Sequence, residues 1–392
     1  MDQLKHFKEL LGSYSADTFL QENWGKTWLH LDSQYTPCRN TPISIEILDE
    51  YFTNARLRYP WVKLVKQGSE IPLKEYRNER LSKVTELIDN DKLFGFLDQG
   101  ASLVSNSIDK SFGPIGMYCR ALEKELSVKV WANLYVSPPN SRGFGIHQDT
   151  HDVIVIQLAG KKNWHIYPRE ENHGPRKPSP DDIPEAEFQL KENEFLYLPK
   201  NYPHMAFATD DSPSIHLSLG LEGLFWSDLV NQFAKKVNED PDFNQRVPIP
   251  IEGEKAYQHF MESFTRKWKN WNEKLDPTEL LDELNTAVYH QTNAQKENRV
   301  SDWLGLNDIN ENSYLKKRVY VAHSLETQGK EVILQFHNKK LNFPFFLAPL
   351  LESLLKEKPF QLKDITVKQT EKEKIAFAKM LIKEGILTIH QD

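Results

Sequence analysis

Between residues 128 and 219 the chain runs as a series of short apolar segments separated by Gly- and Pro-rich turns. Val128–Val136 alternates and is rich in β-branched and aromatic residues, as a half-buried strand does. His151–Leu158 is almost continuously apolar, and Asn163–Tyr167, Glu194–Leu198 and Ser214–Leu219 follow as further strand-like runs. Ser137–Gly145 and the Pro-rich stretch Arg169–Pro184 read as loops, and Gly160-Lys161-Lys162 reads as a turn between two strands. So many short strands without intervening helices predict a closed antiparallel architecture, a barrel or a double-sheet roll.

The flanks are different. Leu4, Phe7, Leu10 and Leu11 recur at helical spacing within residues 3–22, where Ser15 is placed to cap a second short helix carrying Phe19 and Leu20. Residues 23–60 mix short strand-like pieces with Pro and Asn turns, and 78–98 reads as helix. Beyond 224 come three helical stretches, 225–238, 254–273 and 277–290. The last ninety residues change texture again. A strand at 332–336, apolar helices around 345–356, a helix at 371–383 and a final strand at 386–389 together resemble a winged-helix module. The expected class is α+β, divided as 1–224, 225–300 and 301–392. There is no internal repeat and no low-complexity tract.

Composition excludes several functions. A length of 392 residues with 39% hydrophobic residues supports two or three packed domains and rules out global disorder. Cys38 and Cys119 are the only cysteines, too few for a disulfide framework or a cysteine zinc site, and they fit a reducing cytoplasm. Asp2, Lys5, Lys8, Glu9 and Asp17 interrupt the first twenty residues, and no apolar run has membrane-spanning length, so no membrane association is expected. The net charge is −7. Residues 301–392 hold 14 Lys/Arg against 12 Asp/Glu, a net of +2. That near-balance argues against phosphate-driven nucleic-acid binding by the C-terminal module and favours a scaffolding or docking role. The apolar helices at 225–290 suggest a homodimer.

The chemistry concentrates in His147-Gln148-Asp149. A His and a carboxylate two apart on extended backbone share a face. With a second His from a distant strand they can occupy three adjacent positions around an octahedral metal, leaving open sites for a cosubstrate and O₂. The triplet alone is weak evidence, since His30-Leu31-Asp32 and His390-Gln391-Asp392 also fit it. The context of residues 147–149 is richer. Lys162 follows thirteen residues after Asp149, and His204 follows a strand and a Pro-flanked turn in Leu196-Tyr-Leu-Pro-Lys-Asn-Tyr-Pro-His204. Each also has a plainer reading, Lys162 as an exposed turn lysine and His204 as a surface-loop histidine. Trp131, Tyr135, Phe144, Trp164 and Tyr202 are either pocket walls or, as aromatics more often are, core.

The order Asn133, His147-x-Asp149, Gly160-Lys-Lys-x-Trp164, Leu-Pro-x-x-x-Pro-His204 and Ser214-x-His-Leu-Ser218 resembles the JmjC-type cupin oxygenases, most nearly their ribosomal oxygenase branch. The segment Phe19-Leu-Gln-Glu-Asn-Trp-Gly-Lys-Thr-Trp28 resembles that branch's N-terminal signature. The resemblance implies an N-terminal double-stranded β-helix (cupin, or jelly roll), a helical dimerisation region and a C-terminal winged-helix-like domain. It implies Fe(II) held by His147, Asp149 and His204, and 2-oxoglutarate anchored by Lys162 with Asn133 and Ser218 beside it. O₂ would complete the set, with succinate and CO₂ as co-products. The implied activity is hydroxylation of an amino-acid side chain in a protein or peptide, a ribosomal protein by resemblance or a peptide of a tailoring pathway. N-methyl demethylation begins with the same step. Two rivals stand beside it. One is a non-redox metal cupin acting as isomerase or hydrolase, which would not need Lys162. The other is a non-catalytic peptide- or nucleic-acid-binding module.

Overall fold

The computed structural model describes residues 4–38, 41, 43–79, 86–141, 144–170, 174–175, 179, 181–209, 211–247, 254–273, 275–291, 297–319, 321, 323–336 and 339–390. Two compact units emerge from it, and each is built as follows. The first comprises residues 1–222, 294–321 and 353–392; the second comprises 223–293 and 322–352.

In the first unit the strands are β1 (Leu29–Leu31), β2 (Val62–Lys66), β3 (Ser69–Glu70), β4 (Ser102–Ser105), β5 (Lys129–Ser137), β6 (Asp152–Ile166), β7 (Ala186–Lys191), β8 (Phe195–Leu198), β9 (His204–Ala208) and β10 (Ser214–Glu222). They hydrogen-bond in the order β1-β8-β6-β10-β5-β4-β2-β3, with β7 and β9 also pairing with β6, and every recorded pair is antiparallel.

The hinge of the roll is β6. The sequence reads as two strands with a turn at Gly160-Lys161-Lys162, but the backbone continues as one strand of 15 residues. Its first half pairs with β10 and β8. From Lys161 and Lys162 onward it pairs with β7 and β9 instead. Gly160 makes this passage possible: it has φ +63°, and a Cβ there would lie 1.9 Å from the Pro213 carbonyl oxygen. The β10 register also slips between Ile215 and His216, beside the bend. Lys162 is therefore carried inward within a strand and is not a surface turn residue.

Alternation along β6 and β8 fills both faces. Val153, Val155, Leu196 and Leu198 join Trp164, Ile166 and Leu190 in one cluster. Ile154, Ile156, Phe195 and Tyr197 point the other way, into a larger core with Phe7, Leu10, Leu11 and Phe19. Of those last four, Phe7, Leu10 and Leu11 come from the N-terminal helix Lys5–Leu11 and Phe19 from the single helical turn Phe19–Asn23; at the short helix Ala16–Thr18 between them, the Ser15 side chain accepts from the Thr18 amide as the sequence predicts. Trp24 stacks on Tyr197 at 5.9 Å, so the N-terminal signature braces the back of the roll. Helix formation at 45–54, N-capped by Ser44, was masked in the sequence by its Pro- and Asn-rich surroundings. The helix expected over 78–98 is shorter. It occupies Asn90–Asp98 behind the N-cap Asp89, and residues 80–85 lie outside the described residues.

The C-terminal part of this unit holds β11 (Tyr314–Lys317), β15 (Phe360–Gln361) and β16 (Leu387–Ile389), in the order β15-β11-β16, with the helices Arg299–Gly305 and Glu371–Glu384. Thr370 and Glu373 form a capping box on the latter, and Gly385 ends it at φ 84°.

The second unit holds the helices Trp226–Glu239, Glu254–Asn272 and Pro277–Gln291 and a meander of β12 (His323–Gln328), β13 (Glu331–Phe336) and β14 (Lys339–Pro344). Phe233 packs edge-on against Trp271 at 4.3 Å. The expected strand at 332–336 thus pairs with β12 and β14, in a different sheet from β16.

Candidate metal centre

His147 and Asp149 lie just ahead of β6, outside any continuous strand. They are held in place by β9 and the turn before it. His147 donates its amide to the His204 carbonyl at 3.0 Å, and the His204 amide donates to the His147 carbonyl at 2.8 Å. The Asp149 carbonyl accepts from the Asn201 amide at 2.8 Å. Asn201 sits at φ 62°, where a glycine would be the usual residue; asparagine tolerates this region better than most.

The three side chains converge. One ligand atom from each of His147, Asp149 and His204 lies within 4.8 Å of the others. His204 Nε2 is 3.7 Å from Asp149 Oδ2. Both imidazoles are fixed in the same way, each through Nδ1 to the carbonyl two residues upstream. His147 Nδ1 meets Gly145 O at 2.9 Å, and His204 Nδ1 meets Tyr202 O at 2.9 Å. A carbonyl only accepts, so each Nδ1 carries the proton and each Nε2 keeps a free lone pair. Burial and the neighbouring His147 push the His204 pKa well down, which keeps the ring neutral, as a metal ligand must be.

The turn that delivers His204 is anchored in its turn. Asp152 accepts from the Tyr197 hydroxyl at 2.6 Å and from the Lys200 amide at 2.7 Å. The Tyr197 hydroxyl also accepts from the Gly25 amide at 2.8 Å. Tyr202 donates to Glu185 at 2.9 Å, and Arg169 lies over the Tyr202 ring.

A cavity of about 490 Å³ opens beside the three ligands. Lys162, Asn133 and Ser218 all line it. Asn133 and Ser218 face each other across the β5–β10 ladder, and Asn133 Oδ1 accepts from the Ser107 amide at 3.0 Å. Lys162 is buried, has no carboxylate partner among the described residues, hydrogen-bonds the Ser137 hydroxyl at 3.4 Å and lies over the face of Tyr135. Burial alone lowers its pKa to about 8. A buried ammonium without a counter-charge is costly unless an anion joins it.

Of the aromatics named from sequence, Tyr135, Phe144 and Trp164 line the cavity, while Trp131 and Tyr202 do not. Trp131 instead fills the space over Gly220, where a Cβ would lie 2.4 Å from its ring. His216 was missed as a site residue, although Ser214-x-His-Leu-Ser218 contains it. It stacks on Tyr135 at 4.7 Å, lines the cavity, and its buried Nδ1 has no hydrogen-bond partner among the described residues. Burial first, and Lys162 second, depress its pKa well below the usual value, so it is neutral. The competing triplet at His30 is structural: His30 pairs with Glu194 at 2.9 Å, and Asp32 caps the Gln34 amide. His390 shows no such convergence, and Asp392 lies outside the described residues.

An antiparallel roll with two histidines and a carboxylate at the mouth of an open cavity is the arrangement that could hold a metal ion in a cupin. Residues 112–229 match the family model described as JmjC domain. A bifunctional lysine-specific demethylase and histidyl-hydroxylase NO66 of Drosophila persimilis is 24% identical over 223 residues, covering 54% of this chain and 31% of that protein. Ribosomal oxygenase 1 of Rattus norvegicus is 28% identical over 165 residues, covering 38% and 28%. The matches thus span under a third of the length of these curated relatives. The solved structure of the Escherichia coli ribosomal oxygenase YcfD superposes with a TM-score of 0.54 at 16% identity, over 96% of this chain and 98% of that one. A YcfD complex with cobalt and 2-oxoglutarate gives 0.52 at 16% identity, over 97% and 99%. These likenesses establish the fold. Among the described residues, no helix is long and apolar enough to cross a membrane.

Proposed function

We propose that the chain is an Fe(II)- and 2-oxoglutarate-dependent oxygenase that hydroxylates an amino-acid side chain in a protein or peptide. One observation carries the reading: three converging ligands and a buried lysine without a counter-charge share a single cavity. His147, Asp149 and His204 would hold Fe(II). The Lys162 ammonium would pair with the far carboxylate of 2-oxoglutarate, with Asn133 and Ser218 along its side. When bound, Fe(II), 2-oxoglutarate and O₂ supply the oxidising chemistry, with succinate and CO₂ as co-products. The chain's own contribution is positional. Nδ1 anchors aim both Nε2 atoms at the metal, and the apolar walls keep water from the reacting centre. A non-redox cupin has no use for Lys162. The relatives' printed names, histidyl-hydroxylase and ribosomal oxygenase, support a protein substrate.

We read residues 1–224 as the catalytic domain, 225–300 as a homodimerisation region and 301–392 as a winged-helix-like docking domain. Exposed Trp226, Val230 and Phe264 on the helices after 224 support the dimer. Two free, buried cysteines support work in a reducing compartment, the cytoplasm.

The test is spectroscopic. Fe(II) and then 2-oxoglutarate are added anaerobically to the parent and to His204→Ala and Lys162→Ala. A visible metal-to-ligand charge-transfer band in the parent, weakened in both variants, is the expected result. Metal binding without the band would overturn the oxygenase reading in favour of a non-redox cupin.

A further inference from the structure

A second depression adjoins the metal cavity and has a chemistry of its own. It is a groove of about 920 Å³, and Phe144, Gly145 and Ala206 line both spaces. The Phe144 ring lies 5.8 Å from that of His147, so the groove's lining reaches the candidate ligands. Its apolar floor includes Met205 and Phe207 of β9. One wall is the tip of the β2–β3 hairpin. There Gln67 and Gly68 both have positive φ, at 51° and 76°, as a tight two-residue hairpin turn requires. That wall is therefore a fixed edge of the sheet.

Lys66 is the charged side chain lining the groove, and no Asp or Glu lines it among the described residues. Lys66 is exposed and makes no ion pair among the described residues. The Glu187 carboxylate lies 3.9 Å from His165, outside the lining. A segment rich in Lys or Arg would bring like charge to Lys66 with nothing to answer it. The whole chain, at −7, attracts cations, so long-range charge pulls the opposite way from this groove.

We infer that this groove docks the polypeptide substrate and selects a segment carrying a carboxylate beside the residue to be oxidised, which enters past Phe144 while the carboxylate pairs with Lys66. The inference rests on the oxygenase reading and adds the substrate's charge to it.

The test uses the full chain loaded anaerobically with Fe(II) and 2-oxoglutarate. The probes are two fluorescein-labelled peptides of otherwise identical sequence, one carrying Glu and the other Lys at the flanking positions. Binding is read by anisotropy, and the charge-transfer band is read in the same sample. The Glu peptide should bind more tightly to the parent. Lys66→Glu should cut that preference about fivefold, the scale of a surface charge contact, and Lys66→Arg should preserve it. A Lys-peptide preference, no peptide binding, or indifference to Lys66→Glu, with the band intact, would overturn the groove inference and leave the oxygenase reading standing. Absence of the band in the parent would overturn both.

Discussion

His147 and His204 are joined by two reciprocal backbone hydrogen bonds, 3.0 and 2.8 Å, although 57 residues separate them in the chain. The imidazoles of the same pair lie with centroids 4.4 Å apart, tilted by 56° to each other. The backbone of each ligand therefore locates the other before any metal arrives, which is the preorganisation that a facial ligand set needs.

Removing one ligand should accordingly cost metal without costing the fold. His204→Ala keeps its amide and carbonyl, and with them the bridge to His147. Titration with Co(II), followed by its visible d–d absorption, should show affinity reduced by about 100-fold or more, since even outer partners are worth about 10–100-fold. Unchanged affinity would remove His204 from the ligand set.

Asp152 tests the support behind the turn. Its carboxylate accepts from both the Tyr197 hydroxyl and the Lys200 amide, and burial raises its pKa. Asp152→Ala leaves two donors without partners, so urea unfolding should show a loss of about 2 kcal/mol or more. Co(II) affinity should also fall, because the turn that presents His204 is released. Asp152→Asn, which keeps one acceptor, should fall between the two.

The candidate ligands, which converge in the structure, and the strands beside them were legible because each is written locally. His147-x-Asp149, the Pro-flanked run to His204 and the alternating Val128–Val136 need no knowledge of distant partners. Features set by pairing were not legible. Gly160-Lys161-Lys162 has turn composition, yet it lies within one strand, because β7 and β9 take over the ladder that β10 and β8 leave. β14, Lys339-Lys-Leu-Asn-Phe-Pro344, is too polar to read as a strand and exists by pairing with β13. His216 looked like motif filler; its importance comes from Lys162 and Tyr135, which meet it only in three dimensions.

Gly160 is where that bend can be broken. An alanine there would face both a positive φ and a carbonyl oxygen at 1.9 Å, neither of which can yield without moving the Pro213 backbone. Gly160→Ala should lower thermal stability by about 2–4 kcal/mol, through strain combined with a steric clash. Its 2-oxoglutarate affinity should fall as well, because Lys162 lies two residues beyond. Parent-like melting would refute the hinge role.

Asn201 offers the opposite substitution. Glycine suits its left-handed backbone, whereas alanine does not. Asn201→Gly should stay within about 1 kcal/mol of the parent, and Asn201→Ala should be the less stable of the two by about 1 kcal/mol in urea. Equal stability of the two variants would show that the turn does not depend on this conformation.

Lys162 makes stability depend on pH in a way that 2-oxoglutarate should reverse. Burial holds its pKa near 8, below the ordinary value of 10.5. The unfolded chain thus binds more protons than the folded one between about pH 8 and 10.5, and stability contributed by this group rises with pH across that window. Below pH 8 the buried charge costs about 3 kcal/mol in full. Lys162→Met removes the charge, so the ligand-free variant should be more stable than the parent at pH 7 by up to that amount, and the gap should close toward pH 10. A carboxylate brought to the ammonium favours the charged form. Co(II) with 2-oxoglutarate should therefore raise the parent's melting temperature by more than Co(II) alone, and should add nothing to Lys162→Met. If both proteins melt alike at pH 7, or gain equally from 2-oxoglutarate, Lys162 is neither strained without ligand nor its anchor.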